Sequence, residues 1–284
     1  MKSDDSAQTR SYALVTGGTS GMGLEYVRQL SERGYNVIVA ALPAMEKDGK
    51  QVGPPSPQVI CDLMSAEYPS QDFLPVAMDL ARTGAADELC EAISRERPGA
   101  EVEVLINNAG VISIKHFREM TRAQVSRELL LHNYTTTMLC HSLLPAMKER
   151  GHGYVLNISS LAAWFPFPFI STYSATKSYN RILTNALRTE YYGSGVNIAT
   201  IYFGAVDTPL FNLKPSLRRL ARRLGVMITP EKAARVALRM LFSGRSGRVP
   251  GLMNHIGRFV CVLLPRPLVA WIDRKVSKKL GIWS

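Results

Sequence analysis

The sequence lacks the cysteine and histidine patterns that mark metal sites and disulfide frameworks. Its four cysteines, at positions 61, 90, 140 and 261, form no CxxC pair, and its five histidines are scattered along the chain. We therefore expect reduced thiols in a reducing compartment and no metal ion. The chain also lacks internal repeats and low-complexity tracts, and its 284 residues are enough for one sizeable core.

Long apolar runs are absent as well. No run of eighteen or more apolar residues occurs, and the N-terminus has no apolar signal-peptide core. The longest stretch without Asp, Glu, Lys or Arg, residues 151–176, is broken by Asn157, several serines and two prolines, so it does not predict a membrane span. Residues 1–10 are polar and predict a flexible tail. We expect a cytoplasmic protein whose contact with a membrane, if any, is peripheral and on the cytoplasmic face.

Acidic residues are scarce in the C-terminal quarter. Residues 214–284 contain sixteen Lys and Arg against Glu231 and Asp273, a balance of +14, whereas the whole chain carries +11. The sequence LRRLARRL at 217–224 places arginines on one helical face and apolar residues on the other, which predicts a basic amphipathic helix. Such a helix suits an anionic lipid surface or an anionic carrier on a substrate, and the alternative is a solvated basic face.

The segment 252–284 is both apolar and basic, and we treat it as an extension of the main domain. Its apolar run at 259–264 is too short to span a bilayer. Trp271 and Trp283 would lie at headgroup level if the segment bound a membrane surface. The alternatives are packing over a partner subunit or over the substrate entrance.

Six strand-like runs alternate with helical segments over the first two hundred residues. This alternation predicts an α/β fold, a single Rossmann-type doubly wound parallel sheet with helices on both faces. The predicted strands are 13–16, 37–40, 74–77, 102–107, 154–159 and 196–201.

A glycine-rich turn follows the first of these strands. The sequence GGTSGMG at 17–23 lies between that strand and a predicted helix over 22–33, which Gly34 ends before the second strand. Glycines in such a turn let a pyrophosphate approach backbone N–H groups at the positive end of the helix. The segment therefore predicts a dinucleotide site.

Tyr173 and Lys177 lie four residues apart in the sequence YSATK, and Ser160 ends a strand-like run thirteen residues upstream. Residues four apart share one helical face, so the ammonium can bring the phenol pKa from about 10 toward working pH. A phenol tuned in this way can act as a general acid or base. Taken alone, a tyrosine and a lysine four residues apart commonly occur by chance. Ser160 and Asn133 also have ordinary structural roles, as a strand-end cap and as a helix kink or buried amide.

Together with further motifs, these residues make the chain resemble the short-chain dehydrogenase/reductase family over about residues 11–208. The motifs stand in the family's order and spacing, which makes chance agreement implausible. They are TGGTSGMG at 16–23, Asp79 in the sequence AMDL, NNAG at 107–110, Asn133, Ser160, Tyr173 and Lys177.

The resemblance implies catalytic roles for four residues. Tyr173 exchanges a proton with the substrate oxygen, Ser160 orients and polarises that oxygen, and Lys177 lowers the pKa of Tyr173 while it holds the nicotinamide ribose. Asn133 holds a water on the proton relay. Hydride transfer to a carbonyl develops negative charge on the oxygen, so donors aimed at it stabilise the transition state.

The resemblance also implies a catalytic domain over residues 11–251, with a mobile substrate lid at about 205–228, and a set of cofactor-binding residues. That set is Gly17, Thr19, Ser20, Gly21, Met22, Gly23, Asp79, Leu80, Asn108, Ala109, Gly110, Tyr173, Lys177, Val206 and Thr208.

The end of the second strand bears on the choice of cofactor. NAD enzymes with this fold usually carry a carboxylate there. Ala41 stands at the equivalent position, which removes the repulsion against a 2′-phosphate, so NADP is favoured over NAD. Leu42, Thr19 and Ser20 supply no basic partner for that phosphate, and a basic residue from 43–57 is the candidate.

A narrower resemblance points to the branch of 17β-hydroxysteroid dehydrogenases and long-chain 3-oxoacyl-CoA reductases, with 3-ketosphinganine reductases as a further neighbour. It implies a hydrophobic, lipid-like ketone or secondary alcohol, which suits the aromatic cluster at 164–169 unless those rings serve core packing. The expected partners are this small molecule and further copies of the chain in a homo-oligomer, a dimer or tetramer, and no nucleic acid. The alternative function is a catalytically silent dinucleotide-binding regulator, although such proteins usually lack the tyrosine or the lysine.

Overall fold

The computed structural model describes residues 10–47, 50–165, 167–208, 219, 227–251, 254, 255, 265, 267–271, 274 and 275. The predicted N-terminal tail lies outside the described residues except for Arg10. The same holds for much of the predicted lid, including the amphipathic helix at 217–224 apart from Arg219, and for most of the extension at 252–284. The limits of these regions stay predictions.

Strands and helices alternate along the described chain. The strands are β1 (Arg10–Thr16), β2 (Asn36–Ala41), β3 (Met45–Lys47), β4 (Lys50–Val52), β5 (Phe73–Ala77), β6 (Ala100–Asn107), β7 (Gly153–Ser160), β8 (Val196–Phe203), β9 (Ala205–Val206) and β10 (Met227–Ile228). The helices are α1 (Gly21–Ser31), α2 (Pro57–Glu67), α3 (Ala85–Glu96), α4 (Arg122–Leu129), a π-helical segment (Leu130–Thr135), α5 (Thr136–Arg150), α6 (Ser171–Glu190) and α7 (Pro230–Phe242).

The central sheet has six strands in the order β5-β2-β1-β6-β7-β8, and every neighbouring pair is parallel. Val15 of β1 pairs with Val39 of β2 on one side and with Ile106 of β6 on the other. The strand order therefore reverses between β1 and β6, which is where doubly wound folds bind ligands. All six predicted strands and the predicted fold class are confirmed.

Apolar side chains cover both faces of the sheet. Ala13 and Val15 of β1 pack in a cluster with residues of α1, α2 and α7. Tyr12 and Leu14, the alternate residues of the same strand, pack with residues of α3 and α5. Because successive residues of a strand face opposite sides, a strand segment buried on both faces must be continuously apolar, as residues 12–15 of β1 and 37–41 of β2 are. Each fully buried Val, Leu or Ile contributes roughly 1.5–3 kcal/mol from apolar burial.

Short polar side chains begin several of the helices. The side chains of Ser56, Thr121 and Thr229 accept hydrogen bonds from the third residues of α2, α4 and α7. Pro57 and Pro230 occupy the first helical position, where a missing N–H costs nothing. These local signals mark where the three helices begin.

Two elements do not follow from the sequence patterns. A small antiparallel hairpin, β3 and β4, is inserted between β2 and α2, where loops of 2–6 residues are the rule. The π-helical segment joins α4 to α5 and contains Asn133, so one turn holds an extra residue. Strands of three residues and a single widened turn are too short to produce a periodic pattern.

The described residues include no helix that combines the length and the apolar character needed to cross a bilayer. Residues 151–176, the long uncharged stretch, form β7, a short 3-10 turn and the start of α6.

Two glycines before β8 allow a test of the packing at the amino ends of β7 and β8. Gly193 and Gly195 both have φ of 79°, but a Cβ atom on Gly195 would lie 1.7 Å from the carbonyl oxygen of Gly151, whereas one on Gly193 meets no described atom within 4 Å. We expect Gly193→Ala to lower the free energy of unfolding by only about 1 kcal/mol, because alanine is strained at this left-handed backbone angle. Gly195→Ala should lower the free energy of unfolding by about 3 kcal/mol, because the backbone at Gly151 or Gly195 must move to make room for the Cβ atom.

Thermal unfolding of the two variants measures this difference. Equal losses of melting temperature would contradict the close approach of Gly195 to Gly151.

Candidate active site

A cavity opens at the carboxyl ends of β1, β2, β5 and β6, at the reversal of strand order. All of the predicted cofactor residues line it except Val206, which is buried in the core and pairs with Ile228. The predicted residues that line the cavity are Gly17, Thr19, Ser20, Gly21, Met22, Gly23, Asp79, Leu80, Asn108, Ala109, Gly110, Tyr173, Lys177 and Thr208. Sequence motifs far apart in the chain thus form one site.

Glycines bring the turn after β1 close to neighbouring backbone. A Cβ atom on Gly23 would lie 1.9 Å from the carbonyl oxygen of Gly17, and one on Gly17 would lie 3.0 Å from the Cα atom of Ala109. Gly17 and Gly21 also have positive φ angles of 66° and 52°, which favour glycine. The turn therefore leads tightly into the N-terminus of α1, the geometry that a pyrophosphate site requires.

Thr16 and Asn108 fasten the loop after β6 to the end of β1. The Thr16 Oγ1 accepts the backbone N–H groups of Asn108 and Ala109, each at 3.0 Å, and donates to the carbonyl of Ile106 at 3.2 Å. The Asn108 side chain donates to the Thr16 carbonyl at 2.9 Å. The predicted NNAG motif therefore builds the cavity wall through its backbone as well as its side chains.

Asp79 is held by an arginine that the sequence analysis did not single out. Arg127 of α4 pairs with both oxygens of the Asp79 carboxylate, at 2.9 Å and 3.2 Å, and the Ala81 N–H donates to the same group. The pKa of Asp79 lies below its ordinary value because these hydrogen bonds outweigh the opposing effect of burial. The two residues are 48 positions apart, so no local pattern reveals the pair.

Tyr173, Ser160 and Lys177 meet beside the cavity. Ser160 Oγ lies at the end of β7, accepts the Ala162 N–H at 3.1 Å and hydrogen-bonds the Tyr173 phenol. The Lys177 ammonium donates to the carbonyl of Ile158 at 2.9 Å and lies 5.4 Å from the centroid of the Tyr173 ring. Ser160 thus makes the strand-end cap and also contacts the phenol.

The expected lowering of the Tyr173 pKa by Lys177 is wrong for this arrangement. Burial raises the pKa of Tyr173 to about 12, the Ser160 hydrogen bond lowers it, and negative charge at Glu128 raises it. Burial also lowers the pKa of Lys177 from 10.5 to about 8. Desolvation disfavours the charged form of both groups, and it outweighs the attraction that their spacing suggested.

Asn133 lies in the π-helical segment, which confirms a distortion of the helix at this residue. Its backbone carbonyl accepts the Thr137 hydroxyl at 2.7 Å. Its side-chain oxygen is buried and has no hydrogen-bond partner within the described residues. A free acceptor suits the relay role that the resemblance implies, and that role stays a prediction.

Two further buried residues next to Tyr173, Glu128 and His132, were also missed. The His132 ring meets the Tyr173 ring edge-on, with centroids 5.7 Å apart, and Glu128 is close enough to affect the Tyr173 pKa. The available signal was their spacing of four residues just upstream of Asn133, which places both on one helical face.

The first residues of the aromatic cluster at 164–169 contribute to packing. Trp164 packs on Tyr202 with ring centroids 4.0 Å apart, and Phe165 is buried and meets Phe167 at 4.6 Å. None of these rings lines the cavity described above. Within the described part of the chain, core packing therefore accounts for Trp164 and Phe165.

The described residues include no group of three or more His, Cys, Asp or Glu side chains that could hold a metal ion. Cys61, Cys90 and Cys140 are free thiols, and burial raises the pKa of each. Cys261 lies outside the described residues.

Comparison with known families agrees with this geometry. The family described as short chain dehydrogenase matches residues 11–217, which is most of the chain. The chain therefore belongs to the short-chain dehydrogenase family and is an oxidoreductase, as the resemblance implied. The predicted nicotinamide cofactor, NAD(P), is consistent with this assignment.

Individual relatives support the same family. A very-long-chain 3-oxoacyl-CoA reductase of Macaca fascicularis is 25% identical over 279 residues, which cover 95% of this chain and 79% of the relative. Hydroxysteroid dehydrogenase-like protein 1 of Gallus gallus is 26% identical, over 92% of this chain and 74% of its own. A solved short-chain dehydrogenase from Sphingobium yanoikuyae in complex with NADPH has a TM-score of 0.70 at 20% identity and covers 90% of this chain and 97% of its own.

The buried ammonium of Lys177 predicts a pH-dependent cost to stability. Its pKa of about 8 in the folded chain lies below the 10.5 of an exposed lysine, so the cost is full below about pH 8 and fades toward pH 10.5. We expect the wild type to gain stability relative to Lys177→Met between pH 7 and pH 10, by an amount on the order of 2–3 kcal/mol.

Unfolding curves of both proteins at several pH values measure this gain. Lys148→Met, at an exposed lysine of α5, is the control and should track the wild type at every pH. A constant difference between wild type and Lys177→Met would contradict the burial of the charge.

Proposed function

We propose that this oxidoreductase interconverts a ketone and a secondary alcohol on a hydrophobic, lipid-like substrate, by hydride transfer with Tyr173 as proton donor or acceptor. The observation that carries the proposal is the meeting of Tyr173, Ser160 and Lys177 at the edge of a cavity suited to a dinucleotide. A silent dinucleotide-binding regulator would not need a half-buried phenol beside a buried lysine, since burial of the lysine charge costs stability.

The residues fit a nicotinamide dinucleotide. The glycine turn and the N-terminus of α1 would hold the pyrophosphate, Asp79 and Leu80 the adenine, and Lys177 the nicotinamide ribose. When bound, the cofactor supplies or accepts the hydride. The close approach of Gly23 to Gly17 supports this fit, because a Cβ atom there would close the turn.

The side chains of the site favour proton donation to a ketone. The Tyr173 phenol is protonated at neutral pH because burial raises its pKa to about 12, so the donor form is fully populated. Its hydrogen bond from Ser160 lowers the pKa and thus stabilises the phenolate that donation leaves. With a substrate bound, the single hydroxyl proton of Ser160 could instead be donated to the substrate oxygen as negative charge develops there.

The substrate class is proposed from the relatives and from charge. The names very-long-chain 3-oxoacyl-CoA reductase and hydroxysteroid dehydrogenase-like protein, which two relatives carry, refer to lipid-like compounds. A 3-oxoacyl thioester or a steroid fits these names, and 3-ketosphinganine remains a candidate from the sequence resemblance alone. The balance of +14 over residues 214–284 suits an anionic carrier such as the one that an acyl thioester bears.

NADP is the proposed cofactor. Ala41 lines the cavity at the end of β2 and brings no carboxylate that would repel a 2′-phosphate. The inserted hairpin begins and ends at the cavity, where Met45 and Val52 line it. Lys47 and Lys50 occupy paired positions of that hairpin. They are the basic residues of segment 43–57, so they are the candidates for binding the 2′-phosphate.

Self-association and peripheral membrane contact are also proposed. Exposed apolar side chains on the described surface support a homo-oligomer; on α4, α6 and the π-helical segment they are Leu129, Tyr134, Tyr179 and Ile182.

Leu268 and Trp271 of the C-terminal extension are about half exposed, and the Lys275 ammonium lies 4.2 Å from the Trp271 ring centroid. An exposed indole beside basic residues suits the cytoplasmic face of an anionic membrane.

Replacement of one hydroxyl tests the proposed chemistry. Tyr173→Phe keeps the ring but removes the proton donor, so turnover should fall by a factor of at least about 10² while NADPH still binds. The assay is oxidation of NADPH and of NADH with a panel of lipid ketones, and cofactor affinity is measured by fluorescence. NADPH should support the faster reaction.

Tyr179→Phe is the matched control, because Tyr179 lies on the same helix and its hydroxyl contacts only Thr137 within the described residues. It should keep wild-type activity. A Tyr173→Phe enzyme that reduces a good substrate at the wild-type rate would refute the assignment.

The membrane proposal predicts binding to anionic vesicles that salt weakens. Replacement of Arg274, Lys275, Lys278 and Lys279 by Gln in the full chain should reduce vesicle flotation, since each cation near the surface adds about 1 kcal/mol. Gln at Arg95, Lys115, Arg122 and Lys148, which are exposed elsewhere, is the control. Equal flotation of both variants and the wild type, or none by any, would leave the extension as a pocket or subunit contact.

A further inference from the structure

Glu128 and His132 form a pair of buried polar side chains on one face of the helix before Asn133. Each is only 1% exposed. Glu128 is the next-to-last residue of α4, and His132 lies one turn later in the π-helical segment. Neither is accounted for by the glycine turn or by the four catalytic residues.

Both side chains bind the backbone of the same segment. The Val111 N–H donates to His132 Nε2 at 3.0 Å, and the Ser113 N–H donates to Glu128 Oε1 at 2.7 Å. In extended chain, alternate residues point their N–H groups to the same side, so two acceptors one helical turn apart can hold one segment. This segment follows the NNAG motif, and Val111 lines the cavity.

His132 also binds the catalytic helix. Its Nδ1 lies 2.9 Å from Thr176 Oγ1, and the Thr176 hydroxyl donates to the carbonyl of Tyr173 at 2.8 Å. A hydroxyl has one proton, so Thr176 must accept the hydrogen bond from His132 Nδ1–H. The Val111 N–H in turn requires an unprotonated Nε2. The partners therefore define neutral His132 with its proton on Nδ1.

Burial and the positive charge of Lys177 hold the pKa of His132 well below its usual range, which agrees with a neutral ring. Gly110 allows the ring to approach, because a Cβ atom there would lie 3.2 Å from His132 Nε2. One imidazole thus joins the loop after β6 to the first turn of α6.

We propose that Glu128 and His132 are positioning residues of the reaction, which together hold the cavity wall at Val111–Ser113 and the Tyr173 turn of α6 in one fixed arrangement. This inference rests on the proposed function. The two residues act through Val111, Ser113 and Thr176, and neither needs to touch the substrate.

Stability alone would not favour these side chains. Glu128 Oε2 is buried without a hydrogen-bond partner within the described residues, and burial raises the pKa of this carboxyl despite the opposing Ser113 hydrogen bonds. An unsatisfied buried group costs about 1–3 kcal/mol, whereas a Leu at the same position would gain from burial. A costly polar pair beside Tyr173 is expected where geometry matters for chemistry.

Substitution at His132 separates positioning from packing. His132→Phe keeps a ring but has neither donor nor acceptor, so kcat should fall on the order of 10- to 100-fold while the Kd for NADPH changes little. His132→Gln can accept from Val111 and donate to Thr176, and it should recover most of the lost kcat. His141→Phe and His141→Gln, at an exposed position of α5, are the matched controls.

A folded His132→Phe with wild-type kcat, or a His132→Gln no better than His132→Phe, would overturn the inference. Cofactor binding and melting temperature show whether each variant is folded.

Substitution of Glu128 should change the pH profile of the reaction, which a residue with a purely structural role would leave in place. The groups that face the Tyr173 phenol and ring are Lys177 on α6, His132, Ser160 at the end of β7 and Glu128 on α4. Glu128→Gln keeps an oxygen for the Ser113 N–H but removes the charge that raises the Tyr173 pKa. The pH profile of alcohol oxidation, which needs the phenolate, should therefore move to lower pH.

Glu128→Leu removes the acceptor as well and should lose more kcat than Glu128→Gln. Glu149→Gln, at an exposed carboxyl of α5, should leave the profile in place. An unmoved profile for Glu128→Gln, or equal kcat for the Gln and Leu variants, would overturn the role of Glu128.

If the His132 and Glu128 variants do not fold, nitrogen-15 spectra of the wild-type histidines decide the arrangement without any turnover. His132 should show the Nδ1–H tautomer and should not titrate around the ordinary imidazole pKa of about 6.5. An Nε2–H tautomer or a titrating ring would overturn the inference. A chain inactive on every ketone that still shows the Nδ1–H tautomer would contradict the proposed function and leave the arrangement intact.

Discussion

The hydrogen bonds between Thr16 and the loop after β6 hold together the two halves of the site. Thr16 Oγ1 accepts from the backbone of Asn108 and Ala109, and the Asn108 side chain donates back to Thr16. The glycine turn begins one residue after Thr16, and the segment bound by His132 begins two residues after Ala109. A shift of this junction would therefore move the proposed pyrophosphate site and the reacting end of the cavity against each other.

The proposed reacting end contains ionisable groups whose pKa values are shifted by desolvation. Burial raises the pKa of Tyr173, lowers that of Lys177 and keeps His132 neutral. Each shift favours the uncharged form, and at neutral pH the Lys177 shift opposes stability, because an exposed lysine is charged there. Such a cluster is typical of sites where proton transfer requires defined protonation states. In this site the protonated phenol suits donation to a ketone.

Much of the fold and of the cavity could be predicted, because the relevant signals are local. Val37, Ile38 and Val39 indicate a buried strand by composition alone, and Gly17 and Gly23 allow the close backbone approach that the structure shows at the turn after β1. Arg127 and the pKa of Tyr173 could not be predicted in this way. Arg127 pairs with Asp79 only when the fold brings α4 to the loop after β5, and the pKa of Tyr173 depends on how the surrounding segments desolvate the phenol.

The sequence by itself determined the class of protein, since strand periodicity, the glycine turn and the Tyr173 and Lys177 spacing are properties of neighbouring residues. The residues that it predicted for the cofactor line the cavity, with Val206 as the exception, but it did not predict Val111 and Arg127, which line the cavity as well. Only the tertiary structure decided the electrostatics: desolvation by distant segments outweighs the local attraction between Lys177 and Tyr173. It also decided the Glu128 and His132 contacts, because they require a helix, a loop and α6 to meet in space.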